Sequence, residues 1–252
     1  MKKISISVLA LAMVLGMAAT ASAQPEGLYF APKIGYSHLK GKGTTTGTFH
    51  ENWGLAPMSS SSSGSKGQAV LGLAVGYDFK PVSDLPLRAE FEYAWRGKDE
   101  KYSTAYRLVA PGLPTVNVTE KGKVGAQSFF VNAYFDIHND TPVTPYIGAG
   151  LGLAVVSGEY RTSNDAGIDE LNLKLSNTKT NFAWNIGAGA AWKVAENVSL
   201  DLGYRYADFG KVKDSKTIDL TGPPYNTPDL IEFAVDARAT THEVLLGLRF
   251  TF

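Results

Sequence analysis

Apolar and polar side chains alternate along much of this chain, and the alternation is clearest in its last thirteen residues. One set of alternate positions is apolar, namely Val244, Leu246, Leu248, Phe250 and Phe252. The positions between them include Glu243, Gly247, Arg249 and Thr251. Because the side chains of a strand point alternately to its two faces, this segment is predicted to be a strand with one apolar face and a terminal aromatic residue.

Seven further stretches upstream have the same two-residue period. The eight predicted strands cover residues 27–40, 67–80, 87–96, 124–137, 145–155, 182–192, 198–211 and 240–252. Three tight turns, near Pro81, His138 and Ala195, alternate with four long connections of roughly 20 to 25 residues, a rhythm typical of membrane barrels. Strands of about ten residues also have the length needed to cross a bilayer with tilt.

One strand alone does not decide the architecture, as residues 87–96 illustrate. There, apolar positions such as Phe91 and Trp95 alternate with charged ones such as Glu90. The apolar side could be the core of a soluble sandwich or the lipid-facing side of a barrel. Across the whole set, however, the opposite faces carry glycines and charges of both signs, and such long structureless connections count against a compact soluble domain. We therefore predict an all-β fold, an eight-stranded antiparallel up-and-down transmembrane β-barrel with short periplasmic turns and four long extracellular loops.

The long connections leave the strand number open. The first contains a run of threonines at 44–46 and of serines at 59–63, which is too polar to build a core and is predicted to be a loop. Two others contain short alternating patches at 116–121 and 171–175. Ten strands therefore remain an alternative to eight.

The N-terminal segment has the pattern of a cleaved signal peptide. Lys2 and Lys3 precede an apolar core over residues 4–19, and the small residues 21–23 follow as a cleavage site. The rival interpretation is a membrane anchor, but the apolar core is short for a span and a cleavage site follows it. We predict a signal peptide over residues 1–23 and a single barrel domain over residues 24–252.

Charge and cysteine content exclude some classes of function. Without Lys2 and Lys3, 22 basic residues face 24 acidic ones, and this balance argues against a nucleic-acid partner. The chain has no cysteine, so a disulfide framework, a thiolate metal site and a thiol nucleophile are excluded. No cofactor is predicted.

Four segments resemble the small outer membrane barrels of the opacity, neisserial surface protein and OmpA membrane-domain type. They are residues 145–152 (PYIGAGLG), 184–189 (WNIGAG), 202–211 (LGYRYADFGK) and 243–252 (EVLLGLRFTF). The resemblance covers essentially the whole mature chain, and it is specific for the barrel rather than for an activity. It implies residence in the outer membrane of a Gram-negative bacterium. It also implies a group that includes adhesins whose long loops bind host receptors.

Charged side chains on the predicted inner face should form a network. The candidates are Lys33, Asp78, Arg88, Glu90, Glu92, Arg96, Asp136, Lys193, Asp201, Arg205, Glu243 and Arg249, with the polar residues Asn132, Tyr134 and Asn185. An unpaired buried charge is costly, so charges of both signs in one lumen are expected to pair. Since eight strands enclose a space that side chains can fill, a plugged barrel is predicted rather than an open pore. A narrow ion path along the charges is the alternative.

His38 and His242 are the strongest candidates for chemistry. They end the first strand and begin the last, so closure of the barrel would make them neighbours near the outer leaflet. As a catalytic or lipid-phosphate-binding pair they would need Ser37 or Glu243, but the alternation places both on the opposite face. Histidine at an interface is more often part of an amphipathic girdle. No catalytic residue and no metal site is predicted, and the protein is not expected to be an enzyme.

Outward aromatic residues are predicted to form girdles at the two membrane interfaces. They are Trp95, Trp184, Trp192, Tyr204, Tyr206, Phe250 and Phe252. Trp53, in the first long connection, fits neither girdle and is a candidate contact residue, although it could equally pack the loop.

These patterns lead to a surface barrel that presents its loops for adhesion or envelope interaction. The expected partners are outer membrane lipid and lipopolysaccharide, the barrel assembly machinery and a host or envelope protein. The first alternative is a small porin or a conduit for hydrophobic compounds. The second, less expected, is an enzyme that modifies lipid A.

Overall fold

Eight antiparallel strands form a closed barrel in the computed structural model. The structure describes residues 26–49, 58–108, 116–165, 174–219 and 230–252. The strands are β1 (Leu28–Phe49), β2 (Met58–Asp78), β3 (Leu87–Leu108), β4 (Val116–Asp136), β5 (Val143–Asn164), β6 (Lys174–Ala195), β7 (Val198–Asp219) and β8 (Leu230–Thr251). Each pairs with the next in sequence, and β1 pairs with β8 to close the wall.

Eight strands, not ten, make up the part of the chain that the structure describes. The alternating patch at 116–121 is the first part of β4, where it pairs with both β3 and β5. Of the patch at 171–175, Lys174 and Leu175 are the described residues, and both belong to β6. The predicted eight-stranded up-and-down barrel is therefore confirmed.

The outer surface carries an apolar belt that covers about half of each strand. Ile34, Val131 and Leu151 are 56%, 63% and 61% exposed, although they are large aliphatic side chains. Five outward positions per strand, two residues apart and tilted as in known barrels, give a belt about 25 Å tall, which matches a bilayer core. The apolar faces of the strands thus point out of the barrel and do not pack between two sheets. Within the described ranges, no helix has the length and hydropathy of a membrane-spanning helix.

Short connections lie at one end of the barrel, which we call the turn end. Between β2 and β3 the chain makes a one-turn helix, Lys80–Ser83, that ends on Asp84 in the left-handed region with φ 54°. The Oδ1 atom of Asp78 accepts a hydrogen bond of 3.0 Å from the backbone N–H of Lys80 and so fixes the start of this turn. The connections after β4 and β6 are as short as the sequence predicted.

At the other end the strands run much further than the belt requires. Each is 21 or 22 residues long, about twice the ~10 residues that a tilted strand needs to cross a bilayer. The threonine and serine runs at 44–46 and 59–63, predicted to lie in a loop, are paired strand residues of β1 and β2. Backbone groups pair in a ladder whatever the side chains are, so a polar segment can continue a strand without a core. We call these outer halves of the strands the extension.

The wall of the extension divides into two sheets. Within the part of the chain that the structure describes, β2 pairs with β3 only between Val70 and Asp78, and β6 pairs with β7 only from Trp184 to Ala195. The other six seams continue along the extension. One sheet therefore contains β7, β8, β1 and β2, and the other contains β3, β4, β5 and β6. The backbone ladder between the two sheets is interrupted in two places, between β2 and β3 and between β6 and β7, and we call these two interruptions the clefts.

β-Bulges lie where the two seams end. In β3 the register against β4 shifts between Arg96 and Asp99, and again between Glu100 and Tyr102. In β7 the register against β8 shifts between Asp208 and Lys211, and Gly210 there has a φ of 76°, a conformation that glycine adopts without strain. A bulge bends and twists its strand, and each of these bulges begins at the residue where pairing with the neighbouring strand stops.

Candidate functional site

An alternating chain of charged side chains fills the middle of the barrel. It consists of Glu90, Lys33, Glu92, Arg205, Glu243 and Arg96, in the order of their contacts. The Nζ atom of Lys33 lies 2.6 Å from Glu90 and 2.8 Å from Glu92. Three carboxylates thus face three cations, so the network is neutral as a whole. Neutrality and the contact of every charge with an opposite one make such a buried set tolerable in a low-dielectric interior, although Arg205 Nη2 is buried without a hydrogen-bond partner among the described residues.

Glu243 lies at the centre of the network's outer half. Its side chain is fully buried, and it accepts hydrogen bonds from Arg96 Nε at 2.5 Å and from Arg205 Nε at 2.7 Å. Arg96 also donates from Nη2 to Glu243 at 3.0 Å and from Nη1 to Ser128 Oγ at 3.0 Å. Glu243 therefore joins β8 to β3 across the lumen and to β7 beside it, so one carboxylate holds three strands.

A second ion pair, separate from the network, lies nearer the turn end. Arg88 donates to the two oxygens of Asp136 from Nε and Nη2, at 2.6 and 2.9 Å. The guanidinium carbon of Arg88 is 4.8 Å from the ring centroid of Tyr134 and 5.0 Å from that of Tyr146. The pair is thus bidentate and enclosed by aromatic faces, an arrangement that arginine stabilises well.

Tyrosine side chains and glycines shape the space beside the network. The hydroxyl of Tyr146 donates to Asp201 Oδ1 at 2.5 Å, and that of Tyr134 donates to Glu90 Oε1 at 3.2 Å. A side chain at Gly189 would clash with the Tyr146 ring, so glycine there gives that ring its room. Beside the network these residues line a cavity of about 40 Å³, which has space for a few water molecules.

An apolar layer closes the lumen at the extension end of the belt. It consists of Leu39, Ala126, Phe130, Ala154, Val156, Ala183, Ala207 and Phe209. The layer rests on the network, because the Arg96 guanidinium carbon lies 4.7 Å from the Phe209 ring centroid and that of Arg205 lies 5.7 Å from the Phe130 centroid. An ion would have to pass both the charge network and this apolar layer.

We expect the purified barrel to carry no steady current in a planar lipid bilayer, because these two layers leave no continuous water path. The measurement is single-channel recording in symmetric salt. A variant with Phe130→Gly and Phe209→Gly removes the apolar layer but keeps the ion pairs, and it should also stay closed. Stable conductance steps from the unmodified barrel would contradict this prediction.

The remaining charged candidates lie at the turn end. Asp201 accepts the Tyr146 hydrogen bond, and the Arg249 guanidinium lies 5.6 Å from the Tyr29 ring centroid. Asp78 holds the turn at Lys80 instead of entering the network. Lys193 is exposed at the rim and makes no ion pair with the described residues. Eight of the twelve candidates thus form ion pairs in the lumen, whereas Asp78, Lys193, Asp201 and Arg249 make no ion pair with the described residues.

The aromatic candidates all lie on the outer surface, at two heights. Trp192, Phe250 and Phe252 surround the turn end of the belt. Trp95, Trp184, Tyr204 and Tyr206 lie towards its other end, where the Trp184 and Tyr206 ring centroids are 5.6 Å apart. Trp53 and residues 1–23 lie outside the described residues.

His38 and His242 face each other across the seam between β1 and β8, on the outer surface. Ser37 and Glu243 are buried on the opposite face, where the Ser37 hydroxyl contacts Thr241 at 2.5 Å. Neither can assist a histidine on the outside, so a triad is not assembled here. Among the described residues, no group of three or more His, Asp or Glu is arranged to hold a metal ion.

The ion pair between Asp208 and Arg238 was not predicted from the sequence, because a β-bulge interrupts the alternation of faces next to it. Asp208 lies on the outer face of β7, yet it is buried, since Arg238 of β8 covers it and donates to its Oδ2. The backbone N–H of Gly210 donates to Asp208 Oδ1 at 2.8 Å. The dipeptide Phe209-Gly210 in residues 202–211 was the available signal, because a glycine inside a strand pattern often marks a bulge.

Comparisons with known proteins agree with this architecture. The family model described as "outer membrane protein beta-barrel domain" matches residues 7–250. The outer membrane protein PagN of Salmonella typhimurium is 34% identical over 241 residues, which are 95% of this chain and 95% of that protein. A candidate adhesin of Rickettsia conorii is 29% identical over 132 residues, 52% of this chain and 49% of that protein. The crystal structure of neisserial surface protein A covers 90% of this chain and 100% of its own, at 20% identity and a TM-score of 0.46.

Proposed function

Because the chain belongs to the family of outer membrane protein β-barrel domains and resides in the outer membrane of a Gram-negative bacterium, we propose that it is a non-enzymatic surface barrel whose extension mediates adhesion. The belt and sealed lumen form the scaffold. The extension is extracellular, and its two sheets and their clefts are the recognition surface.

The length of the strands is the observation that carries this proposal. A barrel that served only to sit in the membrane would need strands of about ten residues, yet these have 21 or 22. The excess lies on one side only and forms paired sheets. Bulges at Arg96/Asp99 and Asp208/Lys211 open clefts between them, and bulges are often found where a strand must be re-aimed for function.

Along the clefts, β2, β3, β6 and β7 have no ladder partner on one side within the described residues, although Asn181 of β6 donates to the Phe209 carbonyl oxygen of β7 at 3.1 Å. Free strand edges accept extended segments of a partner by strand addition, so the extension offers a specific mode of contact with a host or envelope protein. The sealed lumen supports the same function, because a neutral paired interior gives a rigid base and argues against a porin. The relation to a candidate adhesin agrees with this proposal.

The proposal extends to biogenesis and to the surrounding lipid. Residues 1–23 serve as a cleaved signal peptide, and the barrel assembly machinery inserts residues 24–252. The aromatic residues at the two heights of the belt anchor the barrel at the two interfaces, where tyrosine and tryptophan rings are favoured. Lipopolysaccharide and inner-leaflet lipid then surround the wall.

Trimming the extension tests the proposal. Lys42 and Ser63 are register partners, so residues 43–62 can be replaced by Asn-Gly, which closes a two-residue hairpin. The same cut in the β7–β8 hairpin joins Lys213 to Asp236 through Asn-Gly. We expect the doubly trimmed barrel to keep its heat-modifiable mobility on gels, while adhesion of bacteria expressing it to cultured epithelial cells falls to the level of cells without the barrel.

A matched control replaces Glu196 and Asn197, the short turn between β6 and β7, with the same Asn-Gly pair. This change alters the periplasmic end and should leave adhesion unchanged. A trimmed barrel that folds, reaches the surface and still confers full adhesion would remove the extension from the proposed function.

A further inference from the structure

The apolar belt ends along one row of register partners on three adjacent strands, and polar side chains that could bind an anion replace it there. In the last row of the belt's outward positions, Tyr206 of β7 lies beside His242 of β8, which lies opposite His38 of β1. The next outward row contains Asp208, Thr240 and Lys40. The row after that contains Lys211, Arg238 and Lys42.

His242 is held in position by two tyrosines. The hydroxyl of Tyr204 lies 2.7 Å from its Nδ1 atom, and the Tyr206 ring packs edge-on against the imidazole with centroids 5.3 Å apart. With Nδ1 engaged by a hydroxyl, Nε2 is the ring nitrogen left to contact a ligand. A histidine fixed by packing and by a hydrogen bond loses little freedom when it binds.

Tyr36 brings a further hydroxyl to the same level. It is 58% exposed, and its hydroxyl lies against Gly67 of β2, so closely that a side chain at Gly67 would overlap it. Gly67 is the register partner of His38, so this hydroxyl reaches the row of the two histidines. On β2 the outward positions above Gly67 are Ser65 and Ser63, which leave the surface flat beside Lys40 and Lys42.

The two rows above the histidines are predominantly basic. Lys40, Lys42, Lys211 and Arg238 are all exposed. Asp208 neutralises part of the charge through its ion pair with Arg238, which also fixes the guanidinium over the β7–β8 seam. Asp236 follows one row further out, opposite Thr44. Four cations against two carboxylates leave this patch with a net charge of about +2.

We propose that this patch, made by His38, His242, Tyr36, Lys40, Lys42 and Arg238, binds the phosphates of a phosphorylated glycolipid in the outer leaflet. The location selects the ligand, because the patch begins where the outward side chains stop being apolar. A lipid whose acyl chains lie along the belt places its headgroup at this height. Lysine, arginine, histidine and tyrosine are the hydrogen-bond donors that a phosphate group accepts from.

The described residues of β4 and β5 lack this arrangement. On the opposite wall, Lys123 of β4 pairs in register with Glu159 of β5, and Arg161 forms an ion pair with Glu159. Lys121, one row above, is exposed but has no histidine or tyrosine in the row below it on β4 or β5. Lys121 therefore provides a matched control, because it is an exposed basic side chain on the extension without such neighbours.

The test is native mass spectrometry of the full-length barrel, extracted in mild detergent with its bound lipid. The purified barrel is titrated with bisphosphorylated lipid A and, separately, with lipid A from which both phosphates have been removed. We expect the unmodified barrel to bind the bisphosphorylated form at least about tenfold more tightly, which corresponds to one strong charge-assisted contact. The variant Lys40→Gln/Lys42→Gln/His242→Gln should lose this preference, whereas Lys121→Gln should keep it.

Soluble anions separate a lipid site from a general anion site. Inorganic phosphate and inositol hexakisphosphate, at equal phosphate concentration, should not displace bound lipid A if the belt contributes to binding. A second variant, Tyr36→Phe, removes one hydroxyl without changing charge or fold and should weaken lipid A binding by a smaller factor. The proposal is overturned if lipid A binds equally well with and without its phosphates, if the triple variant binds like the unmodified barrel, or if soluble phosphates displace the lipid. None of these outcomes depends on adhesion, so a failure of the lipid-binding proposal can be distinguished from a failure of the proposed adhesive function.

Discussion

Replacing Glu243 with alanine is expected to destabilise the barrel more than any other single change in the lumen. The carboxylate is fully buried and holds both Arg96 and Arg205, so its removal leaves two buried guanidinium groups facing each other. Breaking one buried pair typically costs about 3–5 kcal/mol, and this change breaks two. Since folded proteins are stable by about 5–15 kcal/mol, most of the stability would be lost. The measurement is urea unfolding in detergent micelles, followed by tryptophan fluorescence and by heat-modifiable gel mobility.

Two further variants test whether the burial of Glu243 is the cause of the large loss of stability. Glu243→Gln keeps the volume and one acceptor oxygen, so its cost should lie between those of the alanine variant and the unmodified protein. Arg161→Ala breaks an ion pair with Glu159 in the extension, where the arginine side chain is 54% exposed, and should cost less than about 1 kcal/mol. If Glu243→Ala unfolds at the same urea concentration as Arg161→Ala, the lumen network does not stabilise the barrel.

The faces of the strands could be predicted from the sequence because each lipid-facing position must be apolar. Along β8, for example, the alternation of Val244, Leu246 and Leu248 with Glu243 and Gly247 places every side chain on its observed face. A membrane on one side and a filled lumen on the other impose a strict two-residue period, and a shift by one residue would expose every charge to lipid. Strand number and order follow from counting such segments and their tight turns.

The extent of the strands could not be predicted, because the extension has water on its outer side and no rule of alternation. Residues 59–63 form a strand although they are all serine, since their backbone groups pair with β1. Bulges add a further difficulty, because an extra residue reverses the faces beyond it. Lys211 is exposed on the outer face of β7 only because the chain bulges between Asp208 and Lys211. The two clefts depend on these bulges and were therefore missed.

Pairing inside the lumen could not be predicted either, because it joins residues far apart in the chain. Arg96 and Glu243 are separated by 147 positions, and the sequence gives no reason to pair Arg96 with Glu243 rather than with Glu90 or Glu92. The observed partners depend on the stagger of the strands around the wall and on which lumen positions are glycine. The alternation of faces along the strands thus predicts which charged residues lie in the lumen, but it does not predict which of them contact each other.

The two sets of ion pairs should respond differently when both partners are removed. In the network Lys33, Glu92, Arg205 and Glu243 each contact two opposite charges, so deleting any neighbouring pair also takes a partner from at least one remaining residue. Arg88 and Asp136 instead pair mainly with each other. Replacing a whole buried pair with apolar residues of similar size is often neutral, whereas removing one member leaves the other unpaired.

We therefore expect Arg88→Met and Asp136→Leu each to cost about 3–5 kcal/mol, and the double variant to cost much less than either single change. Some loss should remain in the double variant, because the methionine no longer provides the cation that lies over the Tyr134 and Tyr146 rings. The coupling free energy is measured from urea unfolding of the four proteins in the same detergent. Costs that simply add would mean that each side chain is stabilised by its other neighbours, and the aromatic enclosure of Arg88 would then outweigh its bond to Asp136.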